Sequence, residues 1–220
     1  MPTDWDASYR AGQTPWEKGR AAPPLLEWLE KSGHRFSGDV LVPGCGFGHD
    51  VRAIAATGQA QRIVGLDLSG TAVEQARQYP AVGSEVYEKA DLFALPRDFQ
   101  KRFDWVFEHT CFCAIDPARR ADYVRAVAEA LCPGGHLLAI FYLRPYAGGE
   151  ILPLGGGPPF GTTIEELDSL FVECFCLVES WEPTRSFPGR EGRETVRLLK
   201  REAQIGQAGP SQNDQEKESG

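Results

Sequence analysis

Short apolar runs alternate along the chain with stretches whose apolar residues recur at helical spacing. Asp39–Pro43 (DVLVP) is a buried strand in this pattern, and Gly48–Thr57 a helix with Val51, Ile54 and Ala55 on one face. Arg62–Leu68 (RIVGLDL) is a second strand, and Ser69 is a good N-cap for a helix over Gly70–Tyr79. After a break at Pro80–Gly83 comes a third strand, Glu85–Lys89. Phe103–Glu108 (FDWVFE) and His136–Tyr142 (HLLAIFY) are the fourth and fifth strands. Between them a helix capped by Asp116-Pro117 runs to about Leu131 and stops at Pro133-Gly134-Gly135. A Gly/Pro-rich loop, Arg144–Gly161, leads to a helix capped at Thr162 or Thr163, with Glu165 and Glu166 in its first turn and its end near Phe171. Cys174–Trp181 and Thr195–Lys200 read as an antiparallel strand pair. Two short helical pieces, Trp5–Ala11 and Pro24–Ser32, precede the first strand. The alternation predicts βα units on a mostly parallel, seven-stranded sheet with helices on both faces, as one domain over residues 1–202. Residues 203–220 are polar, lack any apolar period and read as a disordered tail.

The formal net charge of −8 sets such a protein against phosphate backbones, so nucleic acid is not expected as a partner. A small neutral or soft substrate fits better, although a local basic pocket could still hold an anion. No apolar run approaches the roughly 18 residues of a membrane span, and the first residues lack the apolar core of a secretory signal. The chain therefore reads as a cytoplasmic monomer with reduced thiols. Of its cysteines, Cys45, Cys111, Cys113, Cys132, Cys174 and Cys176, most sit inside apolar runs as free core thiols do. On a strand, the C-x-C spacing of Cys111/Cys113 and of Cys174/Cys176 would turn each pair to one face. A four-cysteine zinc site is conceivable, but structural zinc prefers wider spacing; core packing is favoured and no metal is expected.

The chemistry concentrates where the first strand ends. Val42-Pro-Gly-Cys-Gly-Phe-Gly-His-Asp50 runs a buried strand into Gly44, Gly46 and Gly48 and then a helix. Such a turn brings bare backbone and free helix N–H groups up to a ligand. A tight βα turn with no ligand is the alternative. Asp67, at the end of the second strand, stands where an acidic residue accepts both ribose hydroxyls of a nucleotide-like cofactor. NAD enzymes and methyltransferases share this arrangement. The glycine spacing lacks the G-x-x-G end of the dinucleotide fingerprint, which favours a methyltransferase. Asp91, ending the third strand, can reach an adenine amino group or act only as a cap, and Leu92 and Phe93 supply apolar walls.

With these residues assembled, the chain resembles the thiopurine, thiol and halide methyltransferase superfamily from Trp5 to about Arg201. The resemblance rests on several stretches in order: Trp5-x-x-x-Tyr9-x-x-Gly12-x-Thr14-Pro15-Trp16-x-x-Gly19, the glycine loop, Gly65-Leu-Asp-Leu-Ser69, Phe112-Cys-Ala-Ile-Asp-Pro117 and Gly157-Pro-Pro-Phe160. It implies a Rossmann-like class I methyltransferase using S-adenosyl-L-methionine and releasing S-adenosyl-L-homocysteine. It further implies that Trp5, Tyr9 and Trp16 fold over the cofactor and that Gly44, Cys45 and Gly46 lie under its amino-acid end. Asp67 and Leu68 would hold the ribose, Asp91, Leu92 and Phe93 the adenine, and His109 would contact the cofactor. Thr14, Phe112, Tyr142 and Phe160 would lie near the acceptor. The sequence departs from the family in having Tyr9 for a tryptophan, His109 for Arg or Tyr, and a longer Arg144–Gly157 loop.

The aromatic N-terminal segment, residues 1–22, reads as a lid over the cofactor's sulfonium, since aromatic faces attract cations; packing on the domain's own core is the rival reading. Methyl transfer from a sulfonium needs alignment and desolvation of the acceptor more than a strong base. His109, Tyr142 and Thr14 are the catalytic candidates. The expected reaction is S-methylation of a small thiol or sulfide. Halide or thiocyanate methylation, or O- or N-methylation of a small natural product, are the alternatives.

Overall fold

The computed structural model describes residues 3–31, 35–146 and 157–202. Two sequence expectations, the tail at 203–220 and the middle of the 144–161 loop, lie outside these residues. Helices α1 (Trp5–Arg10) and α2 (Pro23–Glu30) lead into strand β1 (Gly38–Pro43). Then follow α3 (His49–Ala55), β2 (Ala60–Asp67), α4 (Gly70–Gln78), β3 (Glu85–Lys89), β4 (Phe103–His109), α5 (Arg120–Ala130), β5 (Leu131–Tyr142), α6 (Ile164–Phe171), β6 (Phe175–Trp181) and β7 (Glu194–Arg201). They form one seven-stranded sheet in the order β3-β2-β1-β4-β5-β7-β6. The first five strands are parallel, and β7 runs antiparallel between β5 and β6. This is the expected Rossmann-like architecture.

The period-2 alternation of the strands divides the core into two layers. Leu41 of β1 and Leu137, Ala139 and Phe141 of β5 face α5 and α6. Val40 and Val42 of β1 and Leu138 and Ile140 of β5 face the opposite way, against α2, α3 and α4. Strand order reverses between β1 and β4, so the loops leaving their carboxyl ends part to opposite faces and leave a crevice. Open α/β sheets bind ligands at such a switch point.

Three local expectations are corrected. The helix before β5 ends at Ala130, and Pro133-Gly134-Gly135 lies within β5. Phe103 pairs with Leu131 but Trp105 with His136, so Cys132–Gly135 bulge out of the ladder. Cys111 and Cys113 lie around a 3-10 turn, Phe112–Ala114, rather than on a strand; Cys174 precedes β6, so neither pair has the one-face strand arrangement. Of the six thiols only Cys113 is buried, with a small exposed part, and Cys176 is exposed on the edge strand. Among the described residues, no helix is long and apolar enough to cross a membrane.

Candidate active site

Two adjoining cavities occupy the crevice. The larger holds about 420 Å³, near the lower end of small-molecule sites. Its floor is the carboxyl ends of β1 and β2, at Gly44, Asp67 and Leu68. One wall is Asp91, Leu92 and Phe93; the other is the turn after β4, at Thr110, Cys111, Cys113, Ala114 and Ile115, with Tyr142 and Arg190. The smaller cavity, about 60 Å³, opens beside Gly44, Cys45, Gly46, His49 and His109. Gly44, Thr110, Tyr9 and Trp16 border both.

The floor is made by the glycine loop. Gly48 adopts a left-handed φ of 73° as the N-cap of α3, and a Cβ there would meet the Tyr87 ring at 2.4 Å. Gly46, at φ 52°, lets the Tyr9 hydroxyl come within 3.0 Å of where a Cβ would stand. Its N–H donates to Asp67 Oδ2 at 2.9 Å, while Ser69 N–H donates to Oδ1 at 2.8 Å. Burial pushes Asp67 up, and these backbone donors pull it back. A carboxylate has about four lone-pair positions, so Asp67 keeps acceptor capacity toward the cavity it lines. Asp91 accepts from Phe93 N–H at 2.9 Å, so it caps the next turn as well as lining the cavity.

The aromatic segment roofs both cavities. Trp16 packs edge-on against Trp5 and Tyr9 at 5.3 and 5.7 Å, and its indole N–H donates to the Tyr9 hydroxyl at 3.1 Å. Tyr9 also leans on Phe47 of the glycine loop at 5.4 Å. Burial drives the Tyr9 phenol well above its ordinary range. Two carboxylates tie the roof down: Glu17 pairs with His49 of α3 at 3.0 Å, and Asp6 reaches α4. Asp6 Oδ1 accepts from the Ser69 hydroxyl at 2.7 Å and from Thr71 N–H at 3.0 Å, at the start of α4. These donors hold its carboxyl at about 2.

The acceptor-side wall carries charge that the sequence did not reveal. Arg190, from the β6–β7 loop, is 8% exposed. Its guanidinium lies 4.6 Å over the Tyr142 ring, donates to Glu194 Oε1 at 3.2 Å and reaches His109 Nε2 at 3.3 Å. A guanidinium can only donate, so His109 Nε2 accepts and the ring proton sits on Nδ1. Nδ1–H then donates to Asp50 Oδ2 at 3.0 Å, and Asp50 Oδ1 accepts from Ala22 N–H at 2.7 Å. His109 is committed at both nitrogens and borders only the smaller cavity, which leaves it poorly set to take a proton from an acceptor.

Most of the expected site residues meet here. Trp5, Tyr9, Trp16, Gly44, Asp67, Leu68, Asp91, Leu92, Phe93 and Tyr142 border the larger cavity, and Cys45, Gly46 and His109 the smaller. Three do not. Phe112 is 1% exposed and points into the core between Tyr123, Phe141 and Phe171. Its neighbours Cys111 and Cys113 face the cavity instead, because a 3-10 turn sends successive side chains about 120° apart. Thr14 sits in a turn closed by Glu17 N–H, behind Pro15 and Trp16, which border the cavity. Phe160 is tied by its N–H to the Cys113 carbonyl at 2.7 Å, and Pro158 and Pro159 before it reach the cavity.

A parallel sheet with a reversed pair at its edge, a glycine loop at the switch point and an acidic residue ending β2 define the class I methyltransferases. The sequence matches the thiopurine S-methyltransferase family over residues 1–205, and the chain belongs to that family. It is an S-adenosylmethionine-dependent methyltransferase. It is 32% identical to thiocyanate methyltransferase 1 of Brassica oleracea over 198 residues, which cover 87% of this chain and 82% of that protein. It is 27% identical to the thiopurine S-methyltransferase of Vibrio cholerae, over 79% of this chain and 82% of that one. A structure solved in work on converting a disulfide bond into a thioacetal during echinomycin biosynthesis superposes with a TM-score of 0.71 at 25% identity, over 90% of this chain and 91% of that one.

Proposed function

We propose that the chain methylates a small, soft, anionic sulfur nucleophile, a thiolate or hydrosulfide. The observation that carries this reading is the Arg190 guanidinium, buried in the cavity wall beside Tyr142 and Cys113. A cation in a half-desolvated wall stabilises an anion across from it more than water would. A thiol already ionises near neutral pH, so Arg190 can raise the thiolate fraction with no general base. The same charge favours thiocyanate or halide, which gives those acceptors second place. The protein's net charge of −8 repels anions at long range, but Arg190 acts at contact distance.

The residues present fit the cofactor. Asp67 has lone pairs left for ribose hydroxyls, Leu92 and Phe93 form an apolar slot beside Asp91, and bare Gly44 backbone joins the two cavities. Bound there, S-adenosylmethionine supplies an activated methyl group on a sulfonium. Trp5, Tyr9 and Trp16 would cover it and exclude water, and their ring faces suit a cation. Arg190 and Tyr142 would orient the acceptor, and His109, held by Asp50, would hold Arg190. The free thiols at the cavity suit the reducing cytoplasm.

The test is an acceptor panel with S-adenosylmethionine: hydrosulfide, small thiols, a thiopurine, thiocyanate, iodide and a phenol. Sulfur anions should give the highest kcat/KM. Efficient turnover of the phenol with none of the soft acceptors would overturn the reading.

A further inference from the structure

The turn that walls the acceptor side is held in an unfavourable backbone conformation. Thr110, the first residue after β4, has φ 64°. A β-branched residue in the left-handed region is strained, and such strain persists only where the surroundings enforce it. Thr110 borders both cavities, and its hydroxyl donates to the carbonyl of His109 at 2.6 Å. What enforces the turn lies directly beneath. Glu108 is 1% exposed, and its Oε1 accepts from both Cys111 N–H at 2.9 Å and Phe112 N–H at 2.8 Å. Its Oε2 is buried with no partner among the described residues, as is the hydroxyl of Tyr123. A carboxylate buried at this cost is retained where its charge has work to do, and bonds from N–H to a carboxylate are stronger than to a neutral acceptor.

We infer that Glu108 is a positioning residue: its carboxylate clamps the strained Thr110–Phe112 turn against the end of β4 and so sets the shape of the acceptor wall. When the clamp is weakened, Thr110 relaxes to negative φ and Cys111 and Cys113 leave the cavity wall. The acceptor half of the cavity deforms, while the cofactor half, built on β1, β2 and β3, does not. Phe112 is the fixed end of the device, locked between Phe141 and Tyr123 at 5.1 and 5.4 Å.

The clamp is also sensitive to protonation. Burial raises the Glu108 carboxyl to about 7, against the pull of the Phe112 and Cys111 N–H groups. The groups facing it are His109 on its own strand, Cys111 and Cys113 from the turn, and Tyr123 from α5. Arg120 of α5 and Arg190 of the β6–β7 loop act on the same turn through Cys113. Protonation removes the charge that strengthens both clamp bonds, so the wall loosens as pH falls through neutrality.

The experiment combines Glu108→Gln, Thr110→Gly and the double variant. Amide hydrogen exchange of Cys111 and Phe112 is followed by NMR in the free protein, beside acceptor kinetics. Glu108→Gln should lower protection of the two amides at least tenfold relative to those of β4. It should raise the acceptor KM about tenfold, with affinity for S-adenosylhomocysteine within threefold. Thr110→Gly should raise Tm and, in the double variant, restore protection and acceptor KM to within about threefold of Thr110→Gly alone. If Glu108→Gln does not fold, the wild-type protein taken from pH 8 to pH 6 should lose protection at the same two amides, and Thr110→Gly should not. Unchanged protection in Glu108→Gln, or a double variant no better than the single, overturns the clamp. The positioning role rests on the acceptor reading above, but amide protection does not. A clamp that behaves as stated with no methylation of any soft acceptor would refute that reading and leave the clamp standing.

Discussion

The two halves of the cavity are built on different principles. The cofactor half, from the glycine loop through Asp67 to Phe93, is made of backbone and of side chains hydrogen-bonded to backbone N–H groups at the neighbouring strand ends. Asp67 is held by N–H groups of Gly46 and Ser69, and Asp91 by that of Phe93. The acceptor half is made of charges brought from across the fold. Arg190 meets His109 from 81 residues away, and His109 meets Asp50 from 59. The first half suits a ligand that does not change, because it presents fixed backbone donors. The second depends on side chains in loops, where substitution alters the acceptor without disturbing the cofactor.

The sharpest break in this comparison is the roof, which both halves share. Deleting residues 1–18 should leave the sheet folded yet abolish turnover with any acceptor, since neither half is then shielded from water. Circular dichroism and a methyltransferase assay check it, and full activity would reduce the segment to packing.

Next comes a crossed pair of variants. Asp67→Ala removes charge-assisted bonds in the cofactor half and should weaken S-adenosylhomocysteine binding by about 1.5–3 kcal/mol. Arg190→Met should leave that affinity within about threefold while lowering kcat/KM for anionic acceptors by about 2 kcal/mol, roughly thirtyfold. Calorimetry and kinetics on both proteins test the division; if each variant damages both measurements equally, the halves are not separate.

A smaller effect is expected at Asp6, the anchor of the roof on α4. Asp6→Ala leaves the Thr71 N–H uncapped and should raise the KM for S-adenosylmethionine severalfold, as expected for loss of a helix-capping contact. Its carboxyl, held at about 2, stays ionised well below neutral pH, so this contribution should not vary between pH 5 and 9.

Glu108 gives the finest distinction. Its folded pKa, raised by burial from 4.5 to about 7, means the folded protein holds that proton more tightly than the unfolded chain. The sign is therefore opposite to that of a salt-bridged carboxylate. Stability from this group is greatest below pH 4.5 and falls as pH rises to 7, by up to about 3 kcal/mol. Denaturant titrations at pH 5 and pH 8 should show a stability difference in wild type that is diminished in Glu108→Gln. A parallel dependence in both proteins would mean Glu108 carries no such linkage.

Most of the cofactor half was legible in the residues because its signals are local. A buried strand running into glycines, an acidic residue ending the next strand and a serine N-cap each state their geometry within a few positions, and hydrophobic periodicity sets the strand order's raw material. Phe112 was misread for the same local reason: its motif says that the segment lines the site, but only the 3-10 turn decides which of three consecutive side chains faces the cavity. Arg190 carries no motif at all, lying among polar loop residues with Arg185 and Arg193 nearby. It becomes a buried cation only when the antiparallel β6–β7 pair folds the loop back over β5. Nothing local marks Glu108 at the end of β4, and its place under a strained turn follows from α5 and β5 closing water out. The chain by itself determined the layered sheet, the glycine turn that ends its first strand and the acidic residues that end the next two, because periodicity and turn chemistry act between near neighbours. Tertiary structure alone decided which charges are desolvated and which face a ligand, because burial and electrostatic coupling depend on distance in space.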